Sequence, residues 1–106
     1  MKRFVPGVAV LVLGVAGMAF AGAVQTVDQR NMKFSVATLT VNKGDVVDFM
    51  NSDDTSHNIT ISGDGFSVSS GLQKPGVDFK VPLVKPGIYH VTCGIHPKMK
   101  MTLIVE

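Results

Sequence analysis

Within seven residues near its C-terminus the chain sets out a thiol, an imidazole and a thioether: Cys93-Gly94-Ile95-His96-Pro97-Lys98-Met99. Cys93 is the only cysteine in 106 residues. Thiolate and thioether are soft donors, which suit copper and not magnesium or calcium. A second imidazole, His57, stands upstream in Ser56-His57-Asn58. Two histidines, one cysteine and a weak methionine make the donor set of a blue-copper electron-transfer site. Two residues separate Cys93 from His96, and two separate His96 from Met99, so all three can converge on one ion if the segment folds back on itself. Zinc also takes cysteine and histidine but has no need of the methionine. Each residue also has a plain reading: a surface or core histidine, an inert buried cysteine, a methionine that fills space.

An odd thiol matters more if the chain is exported, and its start reads as an export signal. Lys2 and Arg3 precede an apolar stretch from Val8 to Val15, and Ala19-Phe20-Ala21 offers a small-x-small cleavage site, with Ala21-Gly22-Ala23 as a second. The apolar run is short and glycine-rich for a membrane span, which needs about 20 residues. Residues 1–21 are therefore expected to be a cleavable signal peptide, 22–106 the mature domain, and the periplasm its destination. Removing residues 1–21 leaves 85 residues and takes the formal charge from +2 to zero, because Lys2 and Arg3 leave with the signal. Neither a nucleic acid nor an anionic membrane is implied as a partner. A domain this small buries only about 60–65% of its unfolded surface. One cysteine cannot form an internal disulfide to help it, whereas a metal held by the native state alone would stabilise the fold.

The elements that must position these donors read as strands and turns. Phe34 and Val36 alternate with polar neighbours, as do Leu39 and Val41, and the odd spacing between the pairs implies a kink near Ala37-Thr38. Val47 and Phe49, Ile59 and Ile61, Phe79 and Val81, then Tyr89, Val91 and Cys93, and finally Met101, Leu103 and Val105 mark inward faces. Asn42-Lys43-Gly44-Asp45 and Lys85-Pro86-Gly87 read as turns, Asn51 to Ser56 as a polar loop. Residues 62–76 are rich in Ser and Gly, with Phe66, Val68 and Leu72 as anchors. Six to eight short strands without helical periodicity predict an all-β antiparallel sandwich or barrel, with a Greek-key β-sandwich fitting the length. His90 lies on the face opposite Cys93 and is expected to point away from any metal.

The mature chain resembles the cupredoxins over nearly its whole length. Phe34 through Asp45 is similar to the first two strands of bacterial plastocyanin-like proteins, Asn51 precedes His57 by six residues as in plastocyanins, and Gly87 through Cys93 matches their glycine-to-cysteine strand. The Cys-x-x-His-Pro-x-Met loop is similar to that of amicyanins. The resemblance implies a Greek-key β-sandwich holding one copper ion through His57, Cys93, His96 and Met99. Plastocyanin-like spacing would instead select Met101 as the axial ligand, and the amicyanin-like run without gaps to Glu106 favours Met99. Asn58 resembles the asparagine whose backbone N–H donates to the cysteine sulfur and whose side chain braces the ligand loop. Ile95 stands where relatives commonly have proline, so its N–H could give the sulfur a second hydrogen bond. Thr92 replaces a plastocyanin tyrosine used for partner contact. Tyr89 resembles a tyrosine corner.

The activity this implies is single-electron transfer between redox partners such as a c-type cytochrome or a periplasmic dehydrogenase, by a monomer that is not an enzyme. Copper delivery without electron transfer is the alternative. Lys98, Lys100 and Lys74 would suit a partner with an acidic rim, or serve solubility alone.

Overall fold

A computed structural model describes residues 22–106; the expected signal peptide lies outside the described residues. In chain order the strands are β1 (Val24–Arg30), β2 (Lys33–Phe34), β3 (Thr38–Val41), β4 (Val46–Asn51), β5 (Ile59–Gly63), β6 (Phe66–Ser69), β7 (Phe79–Pro82), β8 (Gly87–Cys93) and β9 (Lys100–Val105). They form two sheets, β3-β9-β8-β5-β6 and β2-β1-β4-β7, with no helix among the described residues. This is the expected all-β sandwich.

Between the sheets lie Val27, Val41, Val47, Phe49, Ile59, Ile61, Val81, Leu83, Tyr89, Val91, Met101, Leu103 and Val105, all buried. Period-two alternation sends these side chains to one face of each strand. Two expected anchors are outside this core: Leu72 is 61% exposed and Val36 also faces solvent. Leu72 fails because residues 70–78 form a loop whose inward position is taken by Gln73.

The sheets are mixed and not purely antiparallel as the alternation suggested. β1 runs parallel to β4 (Val27 beside Phe49) and β3 parallel to β9 (Leu39 beside Leu103). The cause is the passage between β2 and β3, where the chain leaves one sheet for the other at the predicted kink; Ala37 O accepts Thr102 N–H there at 2.9 Å. β1 and β6 were not legible as strands. β1 turns inward only Val27 and Gln29, and β6 lies in the Ser/Gly-rich stretch.

Tyr89 closes the end of the sandwich at the β7–β8 turn, its hydroxyl donating to Lys85 O at 2.7 Å. Its ring meets Phe66 edge-on at 5.4 Å between centroids and presses on Gly63, where an added Cβ would lie 2.3 Å from Cδ1. Only glycine fits that contact. At the other pole the β4–β5 loop, the β8–β9 loop and the β1–β2 turn come together, and these carry the candidate donors.

Candidate metal centre

The loop from β4 to β5 changes sheets, so its backbone polar groups lose their ladder partners and need others. Side chains supply them. Asn51 Nδ2 donates to Thr55 O and to Gln73 O, both at 3.0 Å, while Asn51 Oδ1 accepts Asp53 N–H. Buried Gln73 donates through Nε2 to Phe49 O and Val77 O and accepts from Gln29 Nε2 at 2.8 Å. His57 and Gln73 exchange backbone bonds of 2.9 and 2.7 Å. His57 is thereby fixed at 0% exposure at the mouth of β5.

Cys93 ends β8 beside Ile59 of β5 and is 1% exposed. Its Sγ accepts Asn58 N–H at 3.3 Å and stands 3.6 Å from His57 Nδ1. The far side of the imidazole meets a carboxylate, Asp53 Oδ2, 2.7 Å from Nε2. Asp53 also accepts the N–H groups of Asn31 and Met32. Burial pushes the Asp53 carboxyl upward, but the hydrogen bonds from His57, Met32 and Asn31 outweigh it and hold the group below its ordinary value. A carboxylate that accepts from Nε2 places the ring proton there, and in the neutral imidazole this leaves Nδ1 with a free lone pair on the side of the sulfur.

The β8–β9 loop folds back across this pole. Cys93 N–H reaches Met99 O at 3.3 Å, Met99 N–H donates to His96 O at 2.9 Å, and Gly94 N–H donates to Asn58 O at 2.8 Å. Asn58 therefore braces the loop through its backbone. Its side chain lies against Gly94 of the same loop, while its Oδ1 accepts from Ser69 of β6. The His96 ring packs edge-to-face on His57, 5.1 Å between centroids. His96 Nε2 is buried without a hydrogen-bond partner.

Met99 is buried outside the hydrophobic core, whereas Met101 is part of that core. Met99 and His96 line a surface depression of about 480 Å³ with Met32, Lys33, Ile95, Pro97 and Lys98. The sulfur's backbone donor is Asn58 and not Ile95, whose expected hydrogen bond does not form. His90 faces solvent, as its parity required.

The structure thus brings His57 and Cys93 side by side, sets His96 against His57 and buries Met99 next to the same loop. The set is gathered but not closed: among the described residues no three His, Cys, Asp or Glu side chains are drawn together around one point. The donors nonetheless fit a soft metal. A buried thiol has no cysteine to pair with, one imidazole nitrogen is freed by its tautomer, and a second is buried with nothing to bind. Asp53, Gln29, Gln73, Met32 and Lys33 escaped the sequence reading. Asp53-Asp54 looks like a solvated turn, and only the parity of Gln29 with Val27 hinted that a glutamine was inside.

Comparison with known proteins defines the class. Residues 21–106 match the family model of copper binding proteins of the plastocyanin/azurin family. The chain belongs to that family and is a copper-binding cupredoxin.

Among individual proteins, it is 36% identical over 66 residues to the methylamine utilization protein MauL of Methylophilus methylotrophus, matching 59% of this chain and 38% of that protein. A reduced amicyanin variant is 27% identical, with a TM-score of 0.72 over 87% of this chain and 86% of its own. A copper-containing nitrite reductase (NirK) of Thermus scotoductus shares the fold at 23% identity, TM-score 0.75, over 89% of this chain and 25% of the enzyme. The chain thus spans well under half the length of both MauL and the reductase.

Proposed function

We propose that the chain is a single-electron carrier whose one copper ion is held by His57, Cys93, His96 and Met99. The observation that carries this reading is the buried pairing of Cys93 Sγ with the free Nδ1 of His57 at 3.6 Å. Copper, when bound, supplies the Cu(II)/Cu(I) couple.

The remaining work falls to side chains. The Cys93 thiolate gives the strong bond, His57 and His96 complete a plane, and Met99 is the weak axial donor. Met99 is preferred to Met101 because Met101 is occupied in core packing. The half-buried His96, beside an apolar depression, is the exit for the electron. Lys33 and Lys98 at its rim suit a partner with carboxylates around its own exposed redox group.

Such a partner is another redox protein, for example a c-type cytochrome or a periplasmic dehydrogenase; the likeness to amicyanin and to a methylamine utilization protein supports that choice. Residues 1–21 direct export to the periplasm, and 22–106 act there as a monomer. The protein acts as a carrier and not as an enzyme, a reading supported by the likeness to amicyanin over most of both chains.

Titration with Cu(II), followed by optical spectroscopy, tests the reading. One equivalent should give an intense band near about 600 nm, which bleaches on addition of one electron. A colourless protein that binds only Cu(I) or zinc would overturn it in favour of copper delivery or a structural metal.

A further inference from the structure

The carboxylate behind His57 does more than close a loop. Asp53 lies four residues before His57, and its side chain is 8% exposed. Three donors converge on it: His57 Nε2 at 2.7 Å, Met32 N–H at 3.0 Å and Asn31 N–H. Its own N–H is held by Asn51 Oδ1. Asn31 and Met32 both have positive φ, 55° and 56°, and form the two-residue turn between β1 and β2. Methionine is a costly residue in that conformation, and the two N–H groups bound by Asp53 help to offset the strain. The carboxylate cannot swing away from His57 without releasing the turn. The same turn puts Met32 on the wall of the depression that His96 lines.

We propose that Asp53 is a positioning residue for the metal centre: it locks His57 with Nε2 as donor and Nδ1 bare toward Cys93, and it raises the electron-donating power of that ring. This rests on the electron-carrier reading for its redox consequence, but not for the tautomer. A carboxylate on the remote nitrogen makes an imidazole a stronger ligand, and the gain is larger for the more highly charged ion. Asp53 therefore favours Cu(II) over Cu(I). A residue that merely capped the turn would affect folding and leave both tautomer and potential alone.

The first test needs no metal. Nitrogen-resolved NMR of the copper-free protein should find the His57 proton on Nε2; a proton on Nδ1 would overturn the proposal. The second compares Asp53→Asn with Asp54→Asn, which removes an exposed neighbouring carboxylate of the same charge. Asp53→Asn should keep a blue band but lose roughly tenfold to a hundredfold in Cu(II) affinity. A tenfold loss confined to Cu(II) would be read as a rise of about 59 mV in reduction potential. Asp54→Asn should change neither quantity. A folded Asp53→Asn protein with the wild-type potential, or an equal shift in Asp54→Asn, refutes the idea. Should Asp53→Asn not fold, Asp53→Glu replaces it: the charge is kept but the reach altered, and a shifted potential is again required. If the wild-type protein takes up no blue copper, the carrier reading fails while the tautomer result still decides the role of Asp53.

Discussion

The two histidines of the site live in opposite surroundings. His57 is sealed in a lattice of buried polar side chains, with Asp53 behind its ring and Gln73 paired to its backbone. His96 sits on a short loop whose neighbours Gly94, Ile95, Pro97 and Lys98 are exposed, and its ring leans on His57 for support. One half of the centre is prebuilt by the fold and the other is laid over it. The proposed electron-carrier role calls for both, since a rigid cradle keeps the geometry constant between oxidation states while an accessible edge meets the partner.

The contrast breaks most completely at the atom shared by both halves. Cys93→Ser should abolish the visible band of the copper-loaded protein, because no other thiol exists to replace it. Absorbance after one equivalent of Cu(II) checks this, and retained blue colour would refute the assignment.

Next in size, Gln73→Ala should cost about 2–4 kcal/mol by removing the donor to the carbonyls of Phe49 and Val77 and one of the two acceptors of the Gln29 amide, and by leaving a cavity. Lys98→Ala, on the exposed loop, should stay within about 0.5 kcal/mol. Urea unfolding of the two variants measures the gap, and equal midpoints would erase the distinction between cradle and cover.

A finer division separates the two methionines. Met99→Leu should shift the band and raise the reduction potential with little change in stability. Met101→Leu should leave the spectrum alone and cost under about 1.5 kcal/mol, as volume-conserving core changes do. Interchanged outcomes would move the axial role to Met101.

The smallest effect lies far from the metal, in β4. Asp48 is buried with Oδ1 unpartnered, and burial, followed by the charge of Asp78, pushes its carboxyl up against the opposing pull of Lys80. The folded state then holds this proton to higher pH than the unfolded chain does. Stability is lost as pH rises from the ordinary value of 3.8 through the raised one. Asp48→Asn should thus raise the urea midpoint at pH 7 and not at pH 3, and an unchanged difference between those pH values would refute it.

The apolar skeleton was legible because alternation is a strong signal: Tyr89, Val91 and Cys93, or Met101, Leu103 and Val105, announce their faces without help. The donor residues stood out by chemical type. What stayed hidden was polar and long-range. Gln29, Gln73 and Asp53 are residues that usually face water, and only the sheet-changing loop, with its unladdered backbone, gives them a reason to be inside. The Ile95 hydrogen bond was expected from the loss of a proline alone. A free N–H is necessary for a donor but does not aim it, and the loop spends its contact with the β5 side on Gly94.

The place of β9 has a consequence for the order in which a nascent molecule matures. It is the last described strand to emerge, yet it lies inside the five-stranded sheet, between β3 at the edge and β8. Until it arrives, β3 has no partner in that sheet and Cys93 has no returning backbone beneath it. A chain whose β9 has not yet paired therefore offers loose sulfur and imidazole groups but no cradle, and selective capture of copper has to wait for that strand to close the sheet.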